Sequence, residues 1–157
     1  MTGDEFPPIE QLVPHAGPMC LLAHVIEHTP DRTVCEAGTS RSEMLANPDG
    51  SVPVWVGLEY IAQCIAAHGG LVGRAHGEPV RPGLFLGSRR VRFAVSHFTA
   101  GQRLRVSARH HGGERGLVAF DCEIHDVSGG APLVQGRANV YIVDSWQELG
   151  GSAQHGG

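Results

Sequence analysis

A single long apolar stretch, VPVWVGLEYIAQCIAAHGG at 52–70, stands in a chain whose other regular segments all read as strands. Asp49 or Ser51 can cap it, Pro53 suits its first turn, and Gly69 with Gly70 can end it. It is apolar nearly all round, which predicts a helix buried at the centre of the protein. A lone buried helix needs something to wrap it.

The strands supply the wrapping. Segments 19–28, 32–39, 83–94, 102–111, 116–127 and 132–143 are apolar or alternating. Turn sequences separate them: TPD, NPDG, HFTAG, HGGE and SGGA. Residues 9–12 can form a short helical turn behind Pro7 and Pro8. The order predicts an α+β domain over residues 1–144, with a long antiparallel sheet around one helix. One helix covers only one face of a sheet, so a dimer is expected. The polar, glycine-rich segment 145–157 is expected to be a disordered tail.

Composition excludes several classes. The net charge is −4 with no basic block, which argues against nucleic-acid binding. The N-terminal MTGDEFPPIEQ is acidic and lacks the apolar core of a signal peptide. The richest apolar run is interrupted by Glu59 and Gln63, so no membrane span is expected. Cys20, Cys35, Cys64 and Cys122 form no C-x-x-C pair and read as core thiols of a cytoplasmic protein. The ten histidines show no metal-site spacing, and no metal is expected. There is no nucleophile elbow, phosphate loop or dinucleotide fingerprint. Lysine is absent, so any anionic partner must be held by arginine.

Glu59 is the residue that breaks the pattern. A carboxylate inside an apolar helix is costly unless it is partnered or protonated, which makes it a candidate general acid or base. Gln63 lies four residues on, on the same helix face, and can hold it. At the helix start, the amides of Val54, Trp55 and Val56 have no intrahelical acceptor and can polarise a carbonyl oxygen. Glu59 follows about 6 Å further along the axis. A thioester carbonyl on those amides would bring its Cα and Cβ close to Glu59. A structural carboxylate satisfied by an arginine or by water is the other reading.

Three segments carry a family resemblance. VPVWVGLEYIAQ, with Pro53, Gly57, Leu58, Glu59 and Gln63, resembles the central helix of the β-hydroxyacyl-carrier-protein dehydratases. LVPHAGPMCLLAHVIEH resembles their Pro-His segment, at Pro14, His15, Pro18, Leu21 and Leu22, and VSHFTAGQRLRVSARH resembles a later strand entry. PHAGPM, VPVWVGLEYIAQ and FLGSRR together resemble more closely the dehydratase-like proteins of aryl-polyene biosynthesis, across 9–143.

The resemblance implies a hotdog fold and dehydration of a 3-hydroxyacyl-carrier-protein thioester to a trans-2-enoyl thioester. It implies no cofactor beyond the phosphopantetheine that carries the substrate. It implies an acyl carrier protein as partner, and a homodimer or a heterodimer with a related hotdog dehydratase. Glu59 and His15 become the catalytic pair, with the acid and base roles interchangeable, and Gln63 and Gly57 support them. Arg81, Arg89 and Arg90 become candidate contacts for the carrier protein or its phosphopantetheine phosphate. In a regular strand, Arg90 and Arg92 would share one face and Arg89 the other.

One departure is plain. Where the fatty-acid dehydratases carry their catalytic histidine, this chain has Leu45, in the loop EMLANPDG. Two further readings therefore stand beside dehydration. One is a hotdog thioesterase in which Glu59 activates water. The other is a non-catalytic hotdog subunit that binds carrier protein or a catalytic partner.

Overall fold

The computed structural model describes residues 5–14, 17–79 and 83–143. Eight strands and one helix follow in chain order: β1 (Leu22–Thr29), β2 (Arg32–Gly38), β3 (Val52–Pro53), α1 (Gly57–Ala75), β4 (Gly83–Phe93), β5 (His97–Phe98), β6 (Arg103–Glu114), β7 (Leu117–Asp126) and β8 (Val134–Ile142). Six strands form one antiparallel sheet in the order β1-β2-β6-β7-β8-β4. β3 and β5 form a small separate pair. The six long strands were legible from alternation. The short pair was not, because two residues carry no period.

β6 shows how the sequence makes the sheet. Leu104, Val106 and Ala108 are fully buried, Arg105 and Ser107 between them are partly exposed, and Arg103 and Arg109 on either side are exposed. That period of two puts one row against α1 and the other outside. The helix packs chiefly on β1, β2, β6 and β7. Tyr60, Gln63, Cys64 and Ala67 are its fully buried side chains. The β8–β4 half of the sheet is less covered, and β4 leaves Leu84, Phe85 and Leu86 exposed.

The helix differs from its predicted span at both ends. Val52 and Pro53 pair with Phe98 and His97 instead of starting a helix. A 3-10 turn, Val54–Val56, follows, and α1 begins at Gly57 with no side-chain cap. Asp49 is occupied elsewhere: it accepts hydrogen bonds from the Ser51 amide (2.9 Å) and hydroxyl (2.6 Å) within its own loop. The helix also runs through Gly69 and Gly70. A Cβ on Gly70 would lie 2.9 Å from the Leu12 carbonyl oxygen, so this glycine lets the N-terminal segment approach the helix. The helix stops at Gly77, with φ +66°, where the Glu78 amide donates to the Gly73 carbonyl at 2.8 Å.

Candidate active site

Gln63 is fully buried and makes three hydrogen bonds. Its Oε1 accepts from the Leu21 amide at 2.9 Å. Its Nε2 donates to the Met19 carbonyl at 2.7 Å and to Glu59 Oε1 at 3.1 Å. One amide thus ties the helix to the segment leading into β1 and orients the Glu59 carboxylate. The helical spacing of the two residues predicts this contact, and the structure has it.

Glu59 itself is half-buried rather than sealed in the core. It lines a cavity of about 590 Å³. With Ala62, Ala66, Gly69 and Gly73 it forms one stripe along α1, at intervals of three and four residues. Small side chains on that stripe leave the space open. Phe85, Val118 and Val140 form the facing wall, so the cavity is mostly apolar, with Glu59 on its helix side and Asp31 and Glu78 also on its lining.

The far end of the stripe is polar. His68 lines the cavity, about 13 Å along the axis from Glu59. It is only 4% exposed, and its Nδ1 pairs with Thr33 Oγ1 at 2.8 Å. The same hydroxyl meets His28 Nδ1 at 2.8 Å. Burial, with His28 and His110 nearby, pushes the His68 pKa down to about 4, so the ring is neutral near pH 7. A helix ended by Gly69 and Gly70 would leave His68 in its last turn, as a carbonyl cap. It is interior because the helix continues to Ala75.

The other expected residues are placed as follows. The Val54 amide donates to the Ser96 carbonyl at 3.2 Å, extending the β3–β5 pair, so it is committed and not open to a ligand. Trp55 stands exposed beside it and Val56 is buried. Gly57 is needed for close packing: a Cβ there would lie 2.9 Å from Ile124 Cδ1 and 3.3 Å from Phe98 Cζ. His15 and Arg81 lie outside the described residues.

Leu45, in place of the family histidine, packs against the core. Ser42 in the same loop bonds Tyr60 Oη at 2.6 Å. The four cysteines are free and buried. Cys64 Sγ lies 3.5 Å from the Val106 carbonyl, and its neighbour Cys35 together with burial raises its pKa, so it is a core thiol and no nucleophile.

Arg89 and Arg90 do not alternate across the sheet. A bulge between Arg89 and Arg92 adds a residue, and Arg90 takes φ 55° there. Arg89, Arg90 and Arg92 all line one basin on the outer sheet face, where regular alternation would have split them.

A long antiparallel sheet curled around one helix, with an acid on an apolar cavity beside it, is the hotdog fold. The family model described as ApeP-like, ApeP dehydratase, matches residues 7–150, and the chain belongs to that family. A solved structure, the dehydratase heterocomplex ApeI:P from Xenorhabdus doucetiae, is 30% identical with a TM-score of 0.85, covering 95% of this chain and 99% of that chain. Zebra fish thioesterase superfamily member 2 is 14% identical with a TM-score of 0.63, covering 85% and 91% of the two chains. The E. coli PaaI protein is 13% identical with a TM-score of 0.58, covering 74% and 80%. The last two likenesses share the fold alone. No curated protein sequence matches the chain.

Proposed function

We propose that this chain dehydrates a 3-hydroxyacyl chain held on a carrier protein, in aryl-polyene or fatty-acid-like synthesis. The observation that carries the reading is Glu59, held by Gln63 on the wall of the apolar cavity. A base removes the Cα proton, the Cβ–O bond breaks, and an acid supplies the proton that lets hydroxide leave as water. The products are a trans-2-enoyl thioester and water. Glu59 takes one of the two proton roles and His15 the other. The Trp55 and Val56 amides polarise the thioester carbonyl. Arg81, Arg89 and Arg90 provide a cationic approach for the carrier protein or the phosphate of its arm.

A second reading is favoured by one observation. Leu45, packed on the core, stands where the family histidine would be. The chain then works beside a related hotdog subunit that brings the missing group. The β4 edge fits such an arrangement: among the described residues only β8 pairs with it, and it exposes Leu84, Phe85, Leu86 and Phe93. That ApeI:P is a dehydratase heterocomplex supports this reading.

Intact-mass measurement on a 3-hydroxyacyl-carrier-protein, with and without a hotdog partner subunit, tests both. A water-sized mass loss by this chain alone supports the first reading. Loss only in the mixture supports the second. Release of free thiol instead would mean a thioesterase, and no change in any arm would sink dehydration of that substrate.

A further inference from the structure

The outer face of the sheet carries a row of charge that the dehydration chemistry does not use. Arg32 lies directly opposite Arg109, Arg109 opposite Asp121, Asp121 opposite Arg137, and Arg137 opposite Arg89. Five strands thus hold four arginines and one aspartate in a single transverse line. Like charges directly opposite each other destabilise a sheet. Two such pairs, Arg32 with Arg109 and Arg137 with Arg89, stand in this line.

The β4 bulge adds to it. It brings Arg90 and Arg92 to the same face, so six of the twelve basic residues surround one basin of about 680 Å³. Arg90 sits in the left-handed region, which a non-glycine residue seldom adopts. Gly136 on β8 makes the bulge possible, since a Cβ there would lie 3.0 Å from the Val91 Cα.

The carboxylates on this face are engaged. Asp121 is shared by Arg137 Nε (3.0 Å) and His111 Nδ1 (3.1 Å), and Glu123 lies 2.8 Å from His125 Nε2. Among the described residues, no carboxylate is ion-paired with Arg89, Arg90, Arg92 or Arg109.

We propose that this basin is a binding site for a small molecule carrying clustered phosphates, of nucleotide size. Planar guanidinium groups converging from four strands suit several phosphate oxygens at once. The basin is concave and of the volume that small ligands occupy, whereas an acidic helix of a protein needs a longer groove. This goes beyond the carrier contact proposed above and gives the basin arginines a free phosphorylated ligand instead. It lies across the sheet from Glu59, so it stands or falls apart from the dehydration reading.

Titration calorimetry of the full chain with pyrophosphate, and in a second arm with ADP, tests the proposal. Arg109→Ala and Arg90→Ala are each expected to weaken pyrophosphate binding about tenfold or more, and added salt to weaken it further. Arg74→Ala, on the helix and bonded to Gln11, leaves it unchanged. Tighter binding of ADP than of pyrophosphate identifies a nucleotide, and equal binding identifies the phosphates alone. No binding in either arm, binding that survives both basin substitutions, or binding of an acidic carrier protein alone would overturn it.

Discussion

The inner face of the sheet presents Leu104, Val106, Ala108 and Phe120 to α1, and the cavity beside the helix has Glu59 at its wall. One residue along the same strands, the outer face presents Arg105, Arg109, Asp121 and Arg137. The inner polar groups are few, and those of Gln63 and His68 are buried in hydrogen bonds. The outer ones are many, solvated, and of one predominant sign. The same strands therefore serve opposite demands: dry packing with a few fixed polar groups inside, and an open excess of positive charge outside. Substitutions inside act on stability and geometry, and substitutions outside act through charge.

Gln63→Leu tests the inner side most severely. It leaves the buried Leu21 amide and the part-buried Met19 carbonyl without their side-chain partner, which costs about 3 kcal/mol. A urea midpoint shift of that size is expected, with loss of the Glu59 orientation and hence of turnover.

His68 gives the inner face a pH dependence. Its pKa is about 4 in the fold against 6.5 for an ordinary histidine, so the unfolded chain binds the proton more tightly. Stability is full above about pH 6.5 and falls as pH drops towards 4, by up to about 3 kcal/mol. His68→Phe should flatten stability over that window in thermal melts at stepped pH.

Gly136→Ala links the two faces. The added methyl meets Val91 Cγ2 at 2.9 Å and the Val91 backbone at 3.0 Å, so the β4 bulge must shift. A stability loss of about 1–2 kcal/mol is expected, together with weaker pyrophosphate binding. Unchanged binding would separate the bulge from the basin.

Arg109→Gln is the mildest change. It removes the like charge opposite Arg32 and the opposite charge facing Asp121 together, so stability should change by less than about 0.5 kcal/mol at low ionic strength, and the change should vanish in high salt. Denaturation at two salt concentrations checks it.

Periodicity made much of the inner side legible. Glu59 and Gln63 meet because four helical residues bring them to one face, and the long strands followed from alternation. What was not legible depended on contacts far away in sequence. Gly70 reads as a helix stop, yet it admits Leu12 against a continuing helix. That longer helix moves His68 from a cap into the interior. Val54 reads as a free helix-start amide, yet Ser96 claims it through a two-residue pair too short to carry a pattern. Arg89 and Arg90 read as facing opposite ways, because strand parity says nothing of a bulge set by Gly136 on another strand. The inner stripe of Ala62, Ala66, Gly69 and Gly73 was not legible, because its last member lies beyond the helix end that Gly69 and Gly70 suggest.

The most direct test is single-turnover dehydration followed by intact mass, with wild type and Glu59→Gln compared in the presence of a hotdog partner subunit. Gln keeps the size and the hydrogen-bonding reach of Glu59, so the fold and the Gln63 network are retained. The expected result is water loss from the 3-hydroxyacyl chain slowed by about a hundredfold or more in Glu59→Gln. Equal rates in the two proteins would contradict the assignment of Glu59 as the reacting group.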